Sequence, residues 1–206
     1  MFKKALSKKT QDVLAILGKE QFIKDFYLAG GTALALQLGH RKSIDLDFFT
    51  DEKFNPKKLI QKLSDLGRFV LTGESWGTVN GELNNVKISF LFYQHKLIKS
   101  TKNIYSIKIA HPVDIALMKI TAIGSRGSKK DFIDLYFISQ EILSLKKLFA
   151  LLAEKFKKVK YEPYYLIRGL TYFKDADKEA MPYMFREASW DKIKRYSQKE
   201  AVKLVK

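Results

Sequence analysis

Between residues 43 and 49, Ser-Ile-Asp-Leu-Asp-Phe-Phe, apolar and polar side chains alternate. That period of two predicts a strand with Ile44, Leu46 and Phe48 facing a core and Asp45 and Asp47 projecting together from the other face. Just upstream, Phe26-Tyr-Leu-Ala-Gly30 reads as a short buried strand, and residues 32–39 are strong helix formers that stop at Gly39. Residues 2–17 read as a helix with Leu6, Val13, Leu14 and Leu17 on its apolar side. A second helix spans 55–67, with Pro56 in its first turn and Gly67 at its end. Residues 68–83 and 85–94 form an antiparallel meander whose last turn is Asn84-Asn85, and 103–110 adds one more strand.

From Pro112 the pattern turns helical, over 112–124, 129–140, 144–158, 162–173 and 190–204. Strands followed by helices define an α+β fold: a mixed sheet flanked by helices in residues 1–110, then a helical half, 111–206, packed on it.

The 206 residues suffice for a substantial core, and 46% of them are hydrophobic and 13% aromatic. With no cysteine, disulfides, thiolate metal sites and cysteine nucleophiles are excluded. The basic start carries no small-residue cleavage site, and the apolar run at 142–156 is interrupted by lysines. A soluble, cytoplasmic protein without membrane contact is expected. The net charge of +16 favours a polyanionic partner. Only six of the 38 basic residues are arginines, so each arginine tells more than each lysine.

The chemistry gathers around the first two strands. A strand running into Gly30-Gly31-Thr32 and a helix would present free backbone N–H groups to an anion, with glycines admitting it closely. Paired carboxylates on the next strand repel unless a hard cation sits between them, and Mg²⁺ takes such carboxylates together with substrate phosphates. Singly, a Gly-Gly is a turn and an Asp-x-Asp an exposed strand face. In this order they make a phosphate cradle and a metal clamp one helix apart.

Gly31-Thr32, twelve residues and then Asp45-Leu46-Asp47 resembles the Gly-Ser to Asp-x-Asp motif of the DNA polymerase beta nucleotidyltransferase superfamily. The fuller stretch from Ala29 to Phe49 resembles one branch of it, the AbiEii/AbiGii toxins of bacterial abortive-infection and toxin–antitoxin systems. Residues 111–138 and 170–194 resemble that family's later motif and C-terminal segment.

The resemblance implies a nucleotidyltransferase-like fold and transfer of a nucleoside monophosphate from a nucleoside triphosphate to an acceptor hydroxyl. It implies Mg²⁺ or Mn²⁺ on Asp45 and Asp47, phosphate contacts from Gly30, Gly31 and Thr32, and a phosphate-facing Lys119. Arg41 is a triphosphate contact or a solvated loop charge, Ser43 a phosphate contact or the start of the strand, and Arg126 a phosphate contact if the helix holding Lys119 continues through Gly124. Asp131 matches the later motif's aspartate and also suits a capping box with Ser128. Lys129, Lys130 and Asp134 are weaker candidates. RNA, a tRNA 3′ end among the possibilities, is an implied acceptor, and an antitoxin an implied partner.

One departure matters. Relatives carry a third carboxylate beside the pair, where residues 86–93 offer Lys87 and Ser89. Glu74 or Glu82 could replace it. If neither does, the alternative is a nucleotide- or RNA-binding protein without turnover; modification of a protein or small molecule is a third option. His111 reads as a helix-start residue, and the three histidines lack a metal-ligand spacing. Tyr161, Tyr164, Tyr165, Tyr172 and Phe173 are expected in the core, with stacking on single-stranded RNA as the other use of such a cluster.

Overall fold

The computed structural model describes residues 1–157 and 162–205. Its centre is a seven-stranded mixed sheet ordered β3-β4-β5-β2-β1-β7-β6. The strands are β1 (Tyr27–Ala29), β2 (Leu46–Thr50), β3 (Phe69–Ser75), β4 (Thr78–Leu83), β5 (Val86–Phe92), β6 (Lys102–Ile104) and β7 (Ile107–Ile109). The helices are α1 (Lys8–Leu17), α2 (Gly30–Leu38), α3 (Pro56–Ser64), α4 (Pro112–Ser125), α5 (Lys129–Glu141), α6 (Leu145–Ala150), α7 (Leu152–Lys155), α8 (Pro163–Gly169) and α9 (Trp190–Val205).

Alternation along β2 and β5 divides the sheet into two faces. Leu46 and Phe48 pair in parallel with Ile88 and Phe90 and are buried, with the Phe48 and Phe90 rings stacked at 4.9 Å. α1 and α3 cover this core side. The opposite face carries Asp47 and Phe49 from β2, beside Ser89 and Leu91 from β5. Helix α4 stands over that second face and packs on α2 and α5. A sheet followed by helices is therefore the observed α+β order.

Several expectations are refined. The first predicted helix is a short 3₁₀ turn and then α1, capped by Ser7, which accepts from the Thr10 amide at 3.1 Å. β2 starts only at Leu46, so Ile44 lies in the preceding loop and is exposed instead of facing the core. The single strand predicted at 103–110 is the hairpin β6–β7, turned by Tyr105 and Ser106 at positive φ; neither residue type announces such a turn. The predicted Asn84-Asn85 turn is present, both residues at positive φ. The helix predicted at 144–158 is broken into α6 and α7 at Leu151; residue 158 and Tyr161 lie outside the described residues. Helix α8 ends at Gly169, short of the predicted 173, and the chain then runs irregularly to α9.

Candidate nucleotide site

A cleft of about 730 Å³ lies between the second sheet face and α4. Gly30, Gly31, Arg41, Ser43, Asp45, Asp47, Lys119, Arg126 and Asp131 all line it. Of the residues singled out as a site, Thr32 alone does not. It is buried, and its hydroxyl hydrogen-bonds Ser43 Oγ at 2.8 Å and the Asp45 carbonyl, fixing the loop that leads to the carboxylates.

The double glycine has a steric reason. Gly30 sits at φ +66°, where a Cβ would come within 2.8 Å of Asp47 Oδ2. A Cβ on Gly31 would come within 2.3 Å of the Arg41 guanidinium. Helix α2 thus begins against the Asp47 carboxylate. Its N-cap, Ala29, supplies no side-chain acceptor, so no capping side chain takes the first-turn amides.

Two carboxylates, one lining the cleft and one buried behind it, stand in opposite electrostatic states. Asp47 is half-buried, and burial together with repulsion from Asp45 holds it above the ordinary carboxylate range, against the pull of Lys119, Arg126 and a hydrogen bond from Ser89. Two adjacent carboxylates under strain are a donor set suited to a hard cation completed by phosphate oxygens. Among the described residues no group of three or more His, Cys, Asp or Glu converges in a metal-holding arrangement.

Asp134, fully buried on α5, is the opposite case. It accepts from Arg41 Nε at 2.7 Å and Nη2 at 2.8 Å, pairs with His40 Nε2 at 2.9 Å, and lies 3.0 Å from Lys119 Nζ. Burial alone would raise its pKa; Lys119 and Arg41 hold it well below the usual range. Lys119 also meets Asp131 at 2.5 Å, and the two carboxylates keep it protonated against the lowering effect of burial. Arg41, buried and turned to Asp134, is neither the solvated loop charge nor a free phosphate clamp.

Helix α4 continues through Gly124 to Ser125, because the glycine makes room for α8; the break comes at Gly127, at φ +55°. Arg126 therefore reaches the cleft, with a side chain 70% exposed and 3.4 Å from Asp131. The capping box differs from expectation: the Ser128 hydroxyl donates to the Asp131 carboxylate at 3.3 Å instead of accepting its amide. Asp131 joins the buried network, Lys130 lines the cleft, and Lys129 turns away to Glu179.

The sheet register decides the third carboxylate. Beside Asp47 stands Ser89, and beside Ser89 stands Asn80. Glu82 pairs with Lys87 farther along, and Glu74 pairs with Val79, which points into the core on the other face. Neither glutamate lines the cleft.

The sequence also gave no signal for the cleft's apolar wall of Phe49, Leu91, Tyr93, Ile115 and Met118, nor for His40, buried against Asp134. His111 is the N-cap of α4, its Nδ1 accepting from the Val113 amide at 3.1 Å, as its place before Pro112 implied. No helix among the described residues is long and apolar enough to cross a membrane.

Comparison with known proteins follows the same lines. The model of the AbiEii family, nucleotidyl transferase toxins of type IV toxin–antitoxin systems, matches residues 12–88. An uncharacterised protein of Aquifex aeolicus is 35% identical over 196 residues, 93% of each chain. Among solved structures, a protein of H. pylori assigned as a nucleotidyltransferase superposes with a TM-score of 0.55 at 18% identity, covering 97% of each chain. MenT4, a nucleotidyltransferase toxin of Mycobacterium tuberculosis, superposes with a TM-score of 0.56 at 14% identity, covering 93% of this chain and 81% of its own. At these identities the structural likeness establishes the fold.

Proposed function

The chain belongs to the AbiEii nucleotidyltransferase toxin family, and on that premise we propose a Mg²⁺-dependent transferase that moves a nucleoside monophosphate onto an acceptor hydroxyl, with RNA as the acceptor. One observation carries the reading: the uncapped, glycine-opened start of α2 lies against the Asp47 carboxylate, with Asp45 lining the same cleft.

Asp45 and Asp47 would hold Mg²⁺ or Mn²⁺ with the triphosphate. The ion would supply charge neutralisation on the phosphates. The first-turn amides of Gly30 and Gly31 donate to phosphate oxygens, and the glycines keep that approach clear. Arg126, exposed at the cleft, and Lys130 neutralise charge growing on the departing pyrophosphate. Lys119 contributes from a fixed position, since Asp131 and Asp134 hold its ammonium. The apolar wall of Phe49, Leu91, Tyr93 and Met118 suits the base. The acceptor hydroxyl oxygen bonds the α-phosphorus as the bond from that phosphorus to the oxygen bridging the β-phosphate breaks; pyrophosphate leaves and the hydroxyl proton passes to solvent water.

A second reading has its own observation. Ser89 and Asn80 occupy the strand positions beside Asp47, where a general base would stand, and such a base is worth ~10²–10⁴-fold in rate. This favours a slow transferase, or a nucleotide binder without turnover.

Incubation with total RNA, Mg²⁺ and each α-³²P-labelled nucleoside triphosphate, beside an Asp45→Ala/Asp47→Ala variant, separates them. Label entering RNA with one nucleotide, and absent with the variant, supports the transferase and names base and acceptor. Nucleotide binding by calorimetry with no label on RNA or protein moves the assignment to the binder. As in other toxin–antitoxin pairs, a cognate antitoxin is the expected partner, and the cytoplasm the expected location.

A further inference from the structure

The tyrosines of the helical half stand outside the core. Tyr164 is 67% exposed, Tyr165 55% and Tyr172 55%, whereas Phe173 beside them is buried. These rings are not partners of the aromatic core, and the burial tendency of their residue type does not explain them.

Their position ties them to the cleft. Gly169 of α8 lies against Gly124 of α4, a contact that a Cβ on Gly169 would close to 3.0 Å from the Gly124 Cα. The Tyr165 ring rests at 3.5 Å from where a Gly124 Cβ would be, and the Tyr172 carbonyl at 3.8 Å from where a Gly127 Cβ would be. Both tyrosines therefore flank the end of α4, within two residues of Arg126, which together with Ser125 and Lys130 lines the cleft.

The surroundings are basic. Arg126, Lys130, Arg168 and Lys174 are exposed. Of the acids in this part of the chain, Glu162 is exposed at the start of α8, whereas Asp177 accepts from Trp190 Nε1 at 2.6 Å and Lys194 at 3.1 Å, and Glu179 takes the Lys129 amide at 3.0 Å. Asp175 is paired with Lys178 at 3.4 Å. Exposed planar rings set among exposed cations suit unstacked bases on a phosphate chain, because every base has a π-face and every linkage a negative charge.

We propose that Tyr164, Tyr165 and Tyr172 form a stacking platform for single-stranded RNA, which delivers its 3′ end into the cleft past Arg126. The delivery of the end rests on the transferase reading; the binding itself does not.

The test is fluorescence anisotropy with a labelled 12-nucleotide single-stranded RNA, the matching DNA strand and the matching RNA duplex, at fixed salt. The proteins are the wild type, a Tyr164→Ala/Tyr165→Ala/Tyr172→Ala variant and the corresponding triple Phe variant, each checked by thermal unfolding and by calorimetric nucleotide binding. Stacking on one ring is worth roughly 5- to 150-fold per base, so the Ala variant is expected to lose at least ~10-fold in single-strand affinity while the Phe variant keeps it. Nucleotide binding should stay unchanged in both.

Wild-type affinity in the Ala variant overturns the platform and leaves the transferase reading intact. Equal binding of the duplex, or binding of DNA alone, also overturns it. Concentration-dependent dimerisation in sedimentation that the Ala variant abolishes would assign the surface to a second copy instead. Loss of RNA binding in the Ala variant, with no nucleotide transfer by the wild type, keeps the platform and removes the transferase.

Discussion

Two aspartate pairs lie at and behind one cleft, Asp134 alone being sealed off from it, and they are built to opposite ends. Asp45 and Asp47, around the start of β2, form no ion pair among the described residues, and Asp47 is held above the ordinary carboxylate range. Asp131 and Asp134, on α5, are saturated by Arg41, Lys119, His40 and Arg126, and Asp134 is held well below it. The same residue type thus serves as an open donor set in one place and as a girder in the other. The first costs the folded chain stability; the second is part of what keeps α2, α4 and α5 together.

The largest effect should come from breaking the saturated pair. Asp134→Ala leaves Arg41 and Lys119 buried with less than their counter-charge, which costs about 3–5 kcal/mol. Urea unfolding is expected to show that loss, and a loss below ~1 kcal/mol would place the network in solvent. The pH dependence has a definite sign. The lowered pKa of Asp134 contributes stability above the ordinary carboxylate value, lost as pH falls through its folded value. Acid unfolding of the wild type should therefore carry a component that Asp134→Asn lacks.

Next in size is Gly30→Ala. It forces an alanine to φ +66° and brings a methyl to within 2.8 Å of Asp47, for about 1–2 kcal/mol in backbone terms alone. The same change should weaken nucleotide binding measured by calorimetry, since it fills the approach to the α2 amides. The smallest effect is Ser89→Ala. Losing the hydroxyl removes a bond that lowers the Asp47 pKa, at about 0.5–1.5 kcal/mol. The pH below which Mn²⁺ binding fades, followed by electron paramagnetic resonance, should move upward.

The open pair was legible in the sequence because its signal is local: a glycine doublet, a helix and a period-two strand within twenty residues. Asp131 and Asp134 are legible as candidates, but their saturation is not, because His40 lies 94 residues from Asp134 and nothing in either segment names the other. For Arg41 the sequence offers a triphosphate contact or a solvated loop charge; only the packing of α5 against α2 supplies its carboxylate. Strand register settled what sequence left open, setting Ser89 beside Asp47 and Glu74 on the far face. Residue type points the tyrosines to the core and a glycine at 124 points to a helix end, whereas the missing side chain of Gly124 admits α8. In each case a non-local contact outweighed a local tendency.

The central claim, that Asp47 is strained in the free protein and relieved by ligand, is tested most directly by thermal unfolding of the wild type and Asp47→Asn. Each is melted alone and with MgCl₂ plus the four nucleoside triphosphates. A raised carboxylate pKa contributes stability only at pH below its ordinary value and loses it as pH rises through the folded value, so at pH 7 the Asn variant should melt higher than the wild type when alone. Ligand should raise the wild-type midpoint and leave the variant's in place. A variant that melts lower than the wild type when alone, yet is stabilised by the ligands to the same extent, would contradict the account.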